Sequence, residues 1–177
     1  MAAHLNGDRG SFALIFERWA PRLHGFFMRA LGDSACAEDL LQQTFLKAHH
    51  GRASFGRPLF LKGWLFSIAA HSLQDELRRR KRIARDEDGT AEPAPAPADD
   101  AQHLLESRER ALAVRTAIDR LPETQRTVLY LHRFEQMTFS EVAAVLGTSE
   151  GAVKLRAFRA YEQLRQALLP LVKEHCP

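Results

Sequence analysis

Cysteine is scarce: the chain of 177 residues has two, Cys36 and Cys176, 140 positions apart with no CxxC spacing. This argues against a disulfide framework or a thiolate zinc site and favours a reduced compartment. Long apolar runs are missing, so no segment reaches the length of a membrane span. The start, MAAHLNGDRG, lacks a basic-then-apolar signal. The expectation is a cytoplasmic protein without membrane insertion. Period-two alternation is absent, which argues against strands. Signatures of catalysis are thin. His71 and Asp75 stand at i and i+4, a ligand-compatible spacing, and His49 and His50 adjoin one another. Yet there is no HExxH, no further matching ligand and no phosphate-binding glycine loop. The terminal His175–Cys176 pair sits where chain ends fray. Neither an enzyme, a metal site nor a cofactor is expected.

What the chain does have is apolar content and uneven charge. Hydrophobic residues make up 45%, enough for packed cores. Net charge is +3, but residues 1–82 carry 13 Lys/Arg against 7 Asp/Glu, a net of +6. Residues 83–110 carry 3 against 8, a net of −5, and residues 111–177 carry 9 against 7, a net of +2. Basic, acidic, basic is the layout of two nucleic-acid-facing modules with an acidic connector. The stretch DEDGTAEPAPAPADDA (86–101) has six acids and no apolar side chain larger than proline, so it reads as a linker. Fully extended it spans roughly 55 Å, about 16 base pairs of B-DNA. The expected division is a first domain over 1–85, a flexible linker over 86–103 and a second domain over 104–177.

Both domains read as helical, and the fold class as all-α. In SFALIFERWAPRLHGFFMRALG the large apolar residues recur at helical spacing, Pro21 is a candidate kink, and Gly32 a natural stop. Ser34 is placed to cap the next helix, which runs through LLQQTFLKAHH with Ala37, Leu41, Thr44, Phe45 and Ala48 facing inward. The loop RASFGRPLF precedes a long helix from about Leu61 to Arg82, with Leu65, Ile68, Ala69 and Ser72 on its inner side. Further helices are predicted from about Leu104 to Leu121 and from Pro122 to about Phe134. Then comes TFSEVAAVLGTSEGAVKLRAFRAY, two helices about a short turn at Gly147.

Three faces are candidates for function. In the last helix Val153, Ala157, Ala160 and Leu164 form one stripe, the buried side. The opposite side sets Leu155 and Phe158 between Lys154 and Arg159, which suits a major groove offering thymine methyls and phosphates. On the long helix Trp64, Ser67, His71, Gln74, Arg78 and Arg82 share a side and run into RRRKR (78–82). An aromatic group followed by cations suits unpaired bases and their phosphates. Asp39, Gln42, Gln43 and Leu46 make a polar face with one apolar contact and no excess of cations, which does not suit DNA and suits a protein partner or solvent equally.

Taken together, AEDLLQQTFLKA, then Phe55 and WLFSIAAHSLQDELRRRKR, then LPETQRTVLYLHRFEQMTFSEVAAVLGTSEGAVKLRAFRAYEQLR resemble bacterial extracytoplasmic-function (ECF) sigma factors, in that family's order. The resemblance implies an alternative sigma factor that binds core RNA polymerase and directs promoter-specific transcription initiation. It implies docking of Asp39, Gln42, Gln43 and Leu46 on the clamp helices of the polymerase β′ subunit. It implies −10 recognition and melting by Phe55, Arg57, Phe60, Leu61, Lys62, Trp64, Ser67, His71, Gln74, Arg78, Arg79 and Arg82. The −35 element falls to Ser149, Glu150, Lys154, Leu155, Phe158 and Arg159, with the β flap contacted by the same domain. An anti-sigma factor is a further implied partner. His71 stands where the family usually has asparagine, and Leu155 where serine is common. The alternative, a helix-turn-helix regulator without a polymerase role, leaves the first 82 residues without a task.

Overall fold

A computed structural model describes residues 9–54, 60–86 and 102–173. Among these the secondary structure is helical throughout. The helices are α1 (Arg9–Leu31), α2 (Ser34–His50), α3 (Leu61–Asp86), α4 (Gln102–Asp119), α5 (Glu123–Leu129), α6 (Phe139–Leu146) and α7 (Glu150–Lys173). A short 3-10 turn, Gly51–Ser54, follows α2, and a π-helical turn, Tyr130–Phe134, follows α5. The helices reach into the expected linker at both ends, since Asp86 belongs to α3 and Gln102 to α4. Residues 87–101 lie outside the described segments.

In the first block α1 packs on α2, and α2 on α3. Phe26, Phe27, Phe66, Leu23, Leu65 and Leu73 are fully buried there, and Phe26 meets Phe66 edge-on at 5.7 Å. Burying each such side chain contributes about 1.5–3 kcal/mol. The inner face of α2 is Ala37, Leu40, Thr44, Phe45 and Ala48. Leu40 takes the place expected of Leu41, which is half-buried. Helix α1 runs unbroken through Pro21. Trp19, Ala20, Leu23 and Phe26 are all buried around it, so packing on both sides of the proline holds the turn that lacks one backbone donor. Gly32 ends α1 at φ +68, and Asp33 caps α2, its carboxylate accepting from the Cys36 amide at 3.2 Å. The cap is therefore one residue earlier than Ser34.

In the second block α4, α5 and α6 all pack against α7. Thr138 and Glu141 form a reciprocal capping box at the start of α6. Gly147 ends α6 at φ +60. Ser149 then accepts from the Ala152 amide at 3.2 Å, starting α7 within three residues. Capped ends on both sides of a short turn fix the angle between α6 and α7. Between α5 and α6 the chain turns at Gln136, whose φ of 52 is unusual for a residue with a Cβ.

The two blocks are packed together. Helix α3 lies against α6, and the buried side chains of both blocks form one continuous cluster, joining Phe26, Leu65 and Phe66 to Leu131, Met137, Val142 and Val145.

Candidate nucleic-acid interface

Helix α7 separates its two faces cleanly. Val153, Ala157 and Ala160 are buried, and Leu164 packs beside Leu121 and Leu129. On the other side Leu155 is 49% and Phe158 67% exposed. Lys154 and Arg159 are exposed beside them, Lys154 pairing with Glu150 at 2.8 Å. Tyr161 extends the exposed apolar strip toward the C-terminal end. Two large apolar side chains held in water by a rigid helix are costly unless a partner covers them. A groove edge with a thymine methyl and flanking phosphates fits both the apolar and the cationic members. At Gly151 an added Cβ would meet nothing within 4 Å, so the helix start is open as well.

The face on α3 is more mixed. Phe55 and Arg57 fall outside the described residues. Phe60 is 80% exposed at the edge of that loop. Leu61 and Trp64 pack partly into the core of the first block. The outer side of Trp64 lines an open cleft of about 320 Å³ with Lys47, Gly51, Ser67, Ile68 and His71. That volume is at the lower end for small-ligand sites, the size of one nucleotide rather than several. Ser67 donates to the Trp64 carbonyl at 2.7 Å. His71 Nδ1 lies 2.6 Å from the Ser67 carbonyl, which only accepts, so this nitrogen carries the proton. In the neutral ring Nε2 is then an acceptor. Lys47, Gly51 and Ile68 were not among the expected site residues. Lys47 and Gly51 come from α2 and the turn after it, where spacing along α3 gives no signal, and Ile68 lies on α3 itself, on the side expected to face inward.

The basic string divides further on. Glu76 is nearly buried and accepts from Arg79 at 2.7 Å and from Arg80 at 2.9 Å. Arg79, followed by Arg80, holds the Glu76 carboxyl down to about 2 against the opposing effect of burial. Arg80 also reaches Asp33 at 3.0 Å, tying α3 to the cap of α2. The Cys36 thiol lies 3.5 Å from Glu76, and burial pushes its pKa up. Lys81 pairs with Glu123 of the second block at 2.8 Å. Arg78 and Arg82 remain outward, lining with Asp75 and Lys81 an open depression of about 600 Å³. Gln74 is half-buried beside them.

Lys62 points to the second block: its ammonium donates to the Glu135 carbonyl. Burial and the nearby Arg22 push its pKa down. On α2, Asp39, Gln42, Gln43 and Leu46 are all exposed, Leu46 at 58%. Among the described residues no cluster of three or more His, Cys, Asp or Glu is arranged to hold a metal ion. No described helix is long and apolar enough to cross a membrane.

Known proteins share this organisation. Residues 15–83 match the Sigma-70 region 2 family and residues 111–164 the Sigma-70, region 4 family. The RNA polymerase sigma factor CarQ of Myxococcus xanthus is 37% identical over 171 residues, covering 92% of both chains. The ECF RNA polymerase sigma factor SigM of Mycobacterium tuberculosis is 33% identical over 171 residues, covering 95% of this chain and 82% of that one. Among solved structures, the sigma factor RpoE of Bartonella quintana, in complex with the anti-sigma factor NepR, superposes with a TM-score of 0.72 at 28% identity, over 89% of this chain and 96% of that one. With both conserved regions in order on an all-helical frame, the chain belongs to the ECF branch of the sigma-70 family, the alternative sigma factors that bind core RNA polymerase and direct it to promoters.

Proposed function

We propose that the two blocks divide initiation between them, the first binding polymerase and the melted −10 strand, the second reading the −35 duplex. The observation that carries this is the exposed strip of Leu155 and Phe158 between Lys154 and Arg159, on a helix fixed by caps at its turn. It has the mixed apolar and cationic chemistry of a major-groove reader and no structural duty inside the fold. Ser149 sits at the start of the same helix, where backbone donors favour a phosphate, and Glu150 beside it is an acid suited to accept from a base amine. In the first block Trp64 floors the cleft for one unpaired base, with Phe60 beside it and Arg78 and Arg82 further along for the backbone. His71 Nε2, an acceptor, favours a base with an exocyclic amine, which among the DNA bases thymine alone lacks. Asp39, Gln42, Gln43 and Leu46 dock on the polymerase β′ clamp helices, their polar groups around one apolar anchor. The protein works in the cytoplasm as an initiation factor without catalysis of its own. An anti-sigma factor controls it, a reading supported by the RpoE–NepR complex among its structural relatives.

The test uses duplex and pre-melted templates. Asp39→Ala with Gln43→Ala lowers capture of core polymerase while helicity stays native. Phe60→Ala leaves capture intact but lowers opening of duplex promoter, read by permanganate reactivity, and a pre-melted −10 template partly restores it. Full opening by both variants on duplex DNA overturns the assignment.

A further inference from the structure

The join between the blocks is more than apolar packing. Glu135, in the loop after the π-turn, is 3% exposed although it is an acid on a surface segment. Its carboxylate pairs with Arg22 at 3.0 Å and with Arg29 at 2.9 Å, both on α1 of the first block. Its carbonyl accepts from Arg22 Nη2 at 3.4 Å and from Lys62 of α3. The Arg29 guanidinium also lies over the Phe134 ring, 4.7 Å from its centroid. Tyr130 donates its hydroxyl to the Arg29 carbonyl at 2.7 Å, and burial pushes the phenol to about 12, so it remains a donor. Three cations of one block thus converge on a single residue of the other.

Buried apolar contact is adhesive without being directional, whereas a buried carboxylate is tolerated only where its partners are in place. Glu135 therefore fixes the register in which α6 meets α3. The arrangement also has an internal cost. Arg29 Nε is buried with no hydrogen-bond partner among the described residues, a penalty that separation of the blocks removes. Lys62 stands in the first turn of α3, among the residues read as meeting the −10 strand, but it faces the second block and is not part of the lining of the cleft floored by Trp64. While its ammonium donates to the Glu135 carbonyl it is turned from the side of α3 that carries Trp64 and His71, so a strand lying there gains Lys62 only when that bond is released.

We propose that Arg22, Arg29 and Lys62 form a socket on the first block whose partner is Glu135 of the chain's own second block, and that this closure competes with single-stranded DNA for Lys62. The competition rests on the reading of α3 as the −10 face, whereas the socket stands without it. The linker, roughly 55 Å when extended, is long enough for the blocks to part.

The experiment measures the distance between spin labels on cysteines introduced at the exposed Ala35 and Gln163 of the full chain, in a Cys36→Ser, Cys176→Ser background. The parent gives a narrow short-distance population. Glu135→Lys and, from the other side, Arg22→Glu with Arg29→Glu each shift most of it to broad long distances at native helicity. Combining Arg29→Glu with Glu135→Arg recovers part of the short population. If Glu135→Lys loses helicity, the paired arginine variant, confined to the first block, decides. Retention of the short population in a natively helical arginine variant overturns the socket. A labelled twelve-nucleotide single-stranded DNA is then titrated into the parent. The short population falls as DNA binds, and Glu135→Gln binds it several-fold tighter. Saturation without loss of that population, or no binding at all, overturns the competition while leaving the socket to the first measurement.

Discussion

The cations of α3 and those of α7 look alike as text and behave differently in the fold. Along RRRKR, Arg79 and Arg80 clasp the nearly buried Glu76, Arg80 reaches Asp33, and Lys81 reaches Glu123. These cations are structural fasteners as well as positive surface. On α7 Arg159 has no ion pair among the described residues, and Lys154 has only an exposed neighbour one turn away on its own helix. A basic run therefore does not measure the charge available to DNA. The free charge depends on which carboxylates stand within reach, one turn away on the same helix as Glu76 does, or across the fold as Asp33 and Glu123 do.

Four tests would break or sharpen this contrast. The largest effect is expected at Phe158→Ala, which removes the most exposed apolar group of α7. If the ring is covered in the groove, its burial contributes about 1.5–3 kcal/mol, so −35 duplex affinity falls roughly tenfold to a hundredfold with unchanged thermal stability. Fluorescence anisotropy with a promoter duplex reads this, and an unchanged affinity takes Phe158 off the DNA surface.

The second is Glu76→Gln, whose effect falls on stability. Hydrogen bonds to a charged group contribute about 1.5–3 kcal/mol, and the loss lies toward the lower end because Arg79 is largely solvated. The sign with pH is definite. Folding depresses this carboxyl from 4.5 to about 2, so its contribution is present above about 4.5 and is lost as pH falls toward 2. Urea melts across that window should show a smaller slope in the variant than in the parent. Equal slopes would show that Glu76 is not the fastener.

Salt dependence gives the third. Lys154→Ala and Arg159→Ala should each lower the slope of log K against log salt by about 0.9 on a −35 duplex. On a pre-melted −10 template Arg82→Ala should lower the slope, by about 0.7 for a single-strand phosphate, more than Arg79→Ala does. Equal changes at Arg79 and Arg82 would erase the distinction between fastener and free charge.

The smallest expected effect is at Gln136. Its φ of 52 is strained for a residue with a Cβ, so Gln136→Gly should stabilise the fold by about 1 kcal/mol or less, a rise of a few degrees in Tm. A fall in Tm would mean the side chain contributes more than its backbone costs.

The sequence carried the helical class, the turn at Gly147, the inward stripe of α7 and its outward pair, because each depends on residues within two turns of one another. The cap of α2 went to Asp33 in place of its neighbour Ser34, since either side chain can reach the first free amides and spacing does not separate them. The π-turn at Tyr130–Phe134 lies inside what reads as one continuous helix, its ladder shifted by a residue where Glu135 donates back to Tyr130. What spacing along a helix could not yield is pairing across the fold. Arg80 and Asp33 are 47 positions apart, and Arg22 and Glu135 are 113 apart. Lys62, expected at the −10 strand, gave no sign of its bond to the Glu135 carbonyl for the same reason. The cleft beside Trp64 was half legible, with the α3 side readable and the α2 side hidden.

Under the proposed reading of α7 as the −35 reader, its two faces have a consequence for how promoter preference changes over generations. Its anchoring residues, Val153, Ala157 and Ala160, are distinct from its outward residues, Leu155, Phe158 and Arg159. Gly151 leaves open space where a side chain would begin. A lineage can therefore sample new outward side chains while the helix keeps its seat, and each trial costs the fold little. Duplicated copies of such a gene can diverge in target sequence long before either loses its shape.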